Sequence, residues 1–143
     1  MATSNAATNY LERRILDFIF KNNALSFASP GNSLYVGLAT AVSAAETGSL
    51  TEATFTNYAR KQVTAANWTT IGADSTDTQT AKNAANIEFD ASGGTSNTIS
   101  HVFVADASTG GNILFVGALD VSKLIADGDI FRINTGNLTI ELK

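Results

Sequence analysis

Residues 98–119 read TISHVFVADASTGGNILFVGAL, and the rest of the chain is arranged around them. Two nearly continuous apolar runs, 102–105 and 113–119, flank a polar segment, 106–112, that contains Gly110 and Gly111. Short runs rich in Val, Ile and Phe between turn residues predict strands buried on both faces. Asp, Ser, Thr, Gly and Asn supply local hydrogen bonds and positive φ, so the predicted link is a hairpin. This pair belongs in the middle of a β core.

Working outward, the N-terminal side predicts one amphipathic helix over residues 9–22. Leu11, Ile15, Phe18 and Ile19 share a stripe that Leu16 and Phe20 widen, while Arg13, Arg14, Asp17 and Lys21 lie opposite. Asn9 is the expected cap, with Glu12 three residues on, and Asp17 with Lys21 forms an acid-then-base i,i+4 pair. The apolar arc covers about half the circumference, wider than the ~100° that one core requires. Two readings follow: a helix that plugs its own β domain, and one that also meets a neighbouring subunit.

A turn at Ser29, Pro30, Gly31 and Asn32 precedes a strand over 33–40, where Leu34, Val36 and Leu38 alternate with Tyr35, Gly37 and Ala39. Residues 41–57 read as a loop. Residues 58–68, YARKQVTAANW, read as a strand with Val63 inward, and 69–86 as a long polar loop. Ile87 with Phe89, residues 129–134 and residues 138–142 each alternate as strands. About seven strands, one helix and no βαβ alternation predict a mainly β fold, an antiparallel β-sandwich of jelly-roll-like or related Greek-key type. The expected organisation is a helical segment, 1–24, packed on a β-sandwich domain, 25–143.

Composition narrows function. The 143 residues are 44% hydrophobic but only 15% charged, against ~25% in typical soluble domains. The surface is therefore covered by Thr, Ser, Asn, Gly and Ala, which desolvate cheaply against neighbours. A net charge of −4 argues against nucleic acid. The absence of cysteine excludes disulfides and thiolate chemistry. No stretch approaches the ~20 apolar residues of a membrane span, and no secretory leader is expected.

Chemistry is sparse. His101 is the single histidine, and its neighbour Ser100 should point to the opposite face of the strand, which argues against a Ser–His–Asp triad. Asp74 with Asp77, Glu88 with Asp90, and Asp127 with Asp129 are close carboxylate pairs. The first reading for Asp127–Gly128–Asp129 is a turn, with calcium as the minor alternative. Gly93–Gly94 and Gly110–Gly111 lack the strand–turn–helix setting of a phosphate loop. No catalytic residue, metal or cofactor is expected.

Several stretches together carry a resemblance. In order, NYLERRILDFIF (9–20), LYVGLATA (34–41), NYARKQV (57–63), residues 99–119 and GDIFRINTGNLTIEL (128–142) resemble a family of small tailed-bacteriophage proteins. Members are often labelled tail fibre proteins, and proteins of similar type serve as head decoration (cement) proteins. The resemblance implies a virion structural protein, assembled in the host bacterial cytoplasm. Its partners would be the major capsid protein or tail proteins of the same virion, and a second or third copy of itself, as a dimer or trimer. The first expectation is a cement protein that stabilises the head lattice by binding it. The alternative is a tail or tail-fibre adaptor or tip. A third is a carbohydrate-binding module with Trp68 and Tyr58 or Tyr35 as a stacking platform. The expected contact residues are Leu11, Arg14, Ile15 and Phe18 on the helix, Glu46 and Glu52 in the 41–57 loop, and Arg60.

Overall fold

A computed structural model describes residues 5–25, 34–69 and 79–142. The predicted turn at Ser29–Asn32 and the carboxylates Asp74 and Asp77 lie outside these residues. The fold is mainly β, and its strand pairs are antiparallel. The principal sheet runs β1 (Ala6–Ala7), β8 (Ile113–Ile125), β7 (Asn97–Ala105), β2 (Tyr35–Ala44), β3 (Ser49–Glu52), with β4 (Lys61–Gln62) also paired to β2. Two small ribbons complete it: β5 (Gln79–Lys82) with β10 (Thr139–Leu142), and β6 (Ile87–Glu88) with β9 (Arg132–Ile133). The principal sheet curls, giving a sandwich-like body.

The β7–β8 hairpin sits where the sequence places it. Side chains alternate along β7, so its two faces serve two cores. On one side Val102 and Val104 join Val36, Leu38, Phe55, Val63, Ile87, Phe89, Phe131 and Ile133. On the other Phe103 and Ala105 join Ala39, Ala45 and Val116. The hairpin turn is closed by Asp106, whose carboxylate accepts from Asn112 N at 2.7 Å and Asn112 Nδ2 at 2.9 Å. Gly110 and Gly111 both take φ near +60°, at +59° and +67°. A Cβ on Gly111 would lie 2.5 Å from Asp106 Oδ1, so the turn needs glycine there.

Four expectations are corrected. Residues 41–57 are not a loop: β2 continues to Ala44 and turns into β3. Register shifts between Ala39 and Ala41, and between Val42 and Ala44, hide this strand by breaking its alternation. Residues 58–68 are not one strand, since only Lys61–Gln62 pairs and Ala65–Asn67 forms a 3-10 turn. Within 69–86, Gln79–Lys82 is a strand that pairs with β10. Finally, β8 runs on to Ile125, with residues 119–122 set against Ser100 alone between the Ile99–Lys123 and His101–Ala118 pairs.

The helix, α1 (Asn9–Lys21), begins one residue after its cap. That cap is Thr8, not Asn9: Thr8 Oγ1 accepts from Leu11 N and donates to Ile113 O at 2.6 Å, fastening the helix start to β8. Asn22, at φ 55°, ends it in the left-handed region. Asp17 lies 3.7 Å from Arg13 rather than pairing with Lys21.

Candidate interaction surface

The expected contact residues fall into two unlike sets. Along α1, Leu11 is buried against the body, and Ile15 and Arg14 are half-buried. Arg14 lies over the Tyr10 ring at 5.4 Å. Beyond that first turn the helix is bare: Leu16 is 55% exposed, Phe18 54%, Ile19 61% and Phe20 74%. Glu46 is exposed in the β2–β3 turn, and its carbonyl accepts from Asn9 N at 2.7 Å, so the turn abuts the helix start.

Glu52 and Arg60 behave differently. Eight residues apart, they form a two-pronged ion pair, Nε to Oε1 and Nη2 to Oε2, each 2.8 Å. Arg60 Nη1 donates to the carbonyls of Ala107 and Gly110, both at 2.8 Å, and the guanidinium lies 5.0 Å from the Phe103 ring centre. Its side chain is 5% exposed. Tyr58 completes the cluster: its hydroxyl donates to Glu52 Oε1 at 2.7 Å and accepts from Leu38 N at 3.0 Å. Burial pushes the Glu52 carboxyl up, but hydrogen bonds from Arg60 and Tyr58 and the Arg60 charge outweigh it and hold it below its ordinary value. Burial first, then the Glu52 carboxylate, raise the Tyr58 phenol, so it stays neutral. The Tyr-Ala-Arg stretch, residues 58–60, is thus a clamp that ties β3 to the β7–β8 turn. Its polar groups are occupied inside the chain, which gives Glu52 and Arg60 a stiffening role. No sequence pattern announces the pair; the partners meet through folding.

Tyr58 is also removed from any sugar platform. Its ring lies in an aromatic row, 5.3 Å from Phe55 edge-on and 6.0 Å stacked on Phe89, which meets Phe131 at 6.0 Å. Trp68 packs against the same core, and Tyr35 is half-buried in β2.

Ser100 and His101 depart from expectation. Their side chains meet, Oγ to Nδ1 at 2.7 Å, because the register break opposite Ser100 relaxes strict strand alternation. Ser100 Oγ also lies 3.0 Å from the Thr40 carbonyl, which accepts only. The arrangement that satisfies both contacts has the hydroxyl donating to that carbonyl and Nδ1–H donating to Oγ. An imidazole that donates to serine does not activate it as a base. Burial holds this imidazole below its ordinary pKa.

Three further carboxylates, Glu88, Asp90 and Asp129, have partners too. Glu88 pairs with Arg132, and Asp90 with Lys61 at 3.0 Å. Asp129 Oδ2 accepts from Ala126 N at 3.0 Å, as in a turn. Among the described residues no three potential metal ligands converge.

Set beside known proteins, the chain falls in the class of small structural proteins of bacteriophage virions, of a fibre-like kind. It belongs to the family described as Podophage GP4 fiber I protein gp80, whose family model matches residues 6–141. No curated protein matches it.

Proposed function

We propose that this chain is a non-enzymatic component of a phage tail or tail fibre, an adaptor or tip domain held by neighbouring tail proteins. The observation that carries the reading is the match to a fibre-protein family over 6–141. The chemistry agrees with it. The polar side chains closest to a reactive arrangement, Ser100 with His101 and Glu52 with Arg60, are bonded in ways that stiffen the body. Leu16, Phe18, Ile19 and Phe20 of α1 stand in solvent instead. A subunit that works by being held needs that pattern. The cement expectation has no comparable support, because the family description refers to fibre and not to head.

Co-sedimentation of the purified protein with isolated tails, and separately with stripped, expanded capsids, tests this. Saturable binding to tails is expected. Binding to capsids alone would overturn the fibre reading in favour of decoration.

A further inference from the structure

We propose that the bare half of α1 from one copy seats in an apolar groove on a second copy of this chain. The groove, of about 740 Å³, opens between the outer edge of β8 and β10. Val102 and Val104 form its floor, and Phe115, Leu119, Leu138 and Ile140 its walls. All four wall residues pack on the main core yet remain only half-buried. Its size falls within the roughly 300–1,000 Å³ of sites that enclose a ligand, enough for a row of Leu, Ile and Phe side chains.

The helix supplies that row. Leu16, Ile19 and Phe20, at i, i+3 and i+4, form that row about 80–180° around the helix from buried Leu11, whereas exposed Phe18 lies on Leu11's own side. A helix apolar around so much of its circumference is buried in its working state, and 13 residues are marginal as a helix in water without packing. The fit is that of an amphipathic helix in a hydrophobic groove, with both halves present on one chain.

Area and charge favour a second copy as the occupant. A covered Phe buries about 150–250 Å² and Leu or Ile somewhat less, so the exposed fractions of Leu16, Ile19 and Phe20 offer roughly 300–350 Å². One helix-in-groove contact then covers roughly 600–700 Å² over both partners, and reciprocal exchange covers about twice that, within the range of a specific interface. α1 carries Arg13, Arg14 and Lys21 against Glu12 and Asp17, net +1, while the whole chain is −4, which leaves the body at −5. A positive helix approaching a negative body is the attractive arrangement. The contact is between different surfaces, so it closes as a ring or as a mutual exchange.

Sedimentation velocity across a concentration series is the test, with circular dichroism to verify the fold. Two exposed positions serve: Phe20→Glu spoils the helix, and Ala118→Arg blocks the groove that Ala118 lines. The wild type is expected to be oligomeric, and each variant at least tenfold weaker in association. Mixing the two variants should restore a 1:1 heterodimer, since one retains a groove and the other a helix. Because the chain has no cysteine, Phe20→Cys mixed with Ala118→Cys should give a disulfide between chains on oxidation. A monomeric wild type, an Ala118→Arg variant that still oligomerises while Phe20→Glu does not, or an intrachain disulfide in the double variant would each overturn the proposal. None of these outcomes depends on whether the protein belongs to the tail.

Discussion

The Glu52–Tyr58–Arg60 clamp and the outer half of α1 reverse the usual placement of charge and apolarity. At the clamp a guanidinium is enclosed and four of its N–H groups are matched with oxygen acceptors. On the helix, two phenylalanines, a leucine and an isoleucine stand in water. A buried charge survives only when its partners are complete, so the clamp contributes order. An exposed apolar stripe contributes nothing to the isolated fold, and it identifies where the molecule is unfinished. The charged cluster therefore belongs to the scaffold, and the proposed contact surface is apolar.

Removing the clamp's centre gives the largest expected effect. Arg60→Ala leaves Glu52 without its partner, strips the Ala107 and Gly110 carbonyls of donors and uncovers Phe103. The loss should be about 2–4 kcal/mol in urea unfolding, at the lower side of buried-pair values because Glu52 keeps partial access to water. Arg60→Lys should recover little of it, since an ammonium cannot match the two-pronged geometry. A loss below about 0.5 kcal/mol would mean that the clamp is ornamental and the comparison fails. Gly37→Ala is next. A Cβ there would stand 2.2 Å from Phe103 Cζ, and Phe103 is pinned beneath Arg60, so overpacking should cost about 1–3 kcal/mol. Adding Phe103→Leu should recover part of that loss, which would locate the clash in the ring.

Two smaller effects sharpen the contrast. Thr8→Ala removes the helix cap and the bond to the Ile113 carbonyl, and should cost about 1–2 kcal/mol with a visible loss of helical ellipticity. The pH dependence reports on Glu52. Its folded pKa lies below the ordinary 4.5, so its stabilising contribution is complete above that value and disappears as pH falls through the folded pKa. The denaturation midpoint should therefore fall on acidification, and less steeply in Tyr58→Phe, which lacks one of the hydrogen bonds that lower it. Equal slopes in the two proteins would assign the acid sensitivity to other carboxylates.

The sequence makes the β7–β8 hairpin legible because its apolar run is unbroken from Val102 to Ala105 and its turn residues are specific. It hides β3 and β5 for physical reasons. SLTE and QTAK each lie at one end of a strand ladder, with little apolar surface to bury, and the register shifts in β2 erase the period that would have announced the first. Thr8 precedes the expected helix start because its hydroxyl is drawn by a carbonyl 105 positions away. Asn83 is hidden for a similar reason: fully buried, it donates to Ala85 and Asn134 carbonyls and accepts from Leu138 N. The excess apolar width of α1 is written in the sequence, whereas the groove proposed for it is not, since that cavity is lined by residues as far apart as Phe115 and Ile140.

The smallest expected effect on stability is the one that most directly tests the second half of the comparison. Ile19→Ser removes an exposed apolar side chain that touches little of its own body, so unfolding of the monomer should change by no more than about 0.5 kcal/mol. Isoleucine and serine have similar helix propensities, so backbone preference adds little to the change. The measurement belongs at a concentration where the chain is monomeric, or in the Phe20→Glu background, because a partner bound only to the folded state raises apparent stability by mass action. A loss of 2 kcal/mol or more, on the order of a buried aliphatic deletion, would show that the outer half of α1 packs on its own sheet in solution. The helix would then belong to the scaffold, as the clamp does.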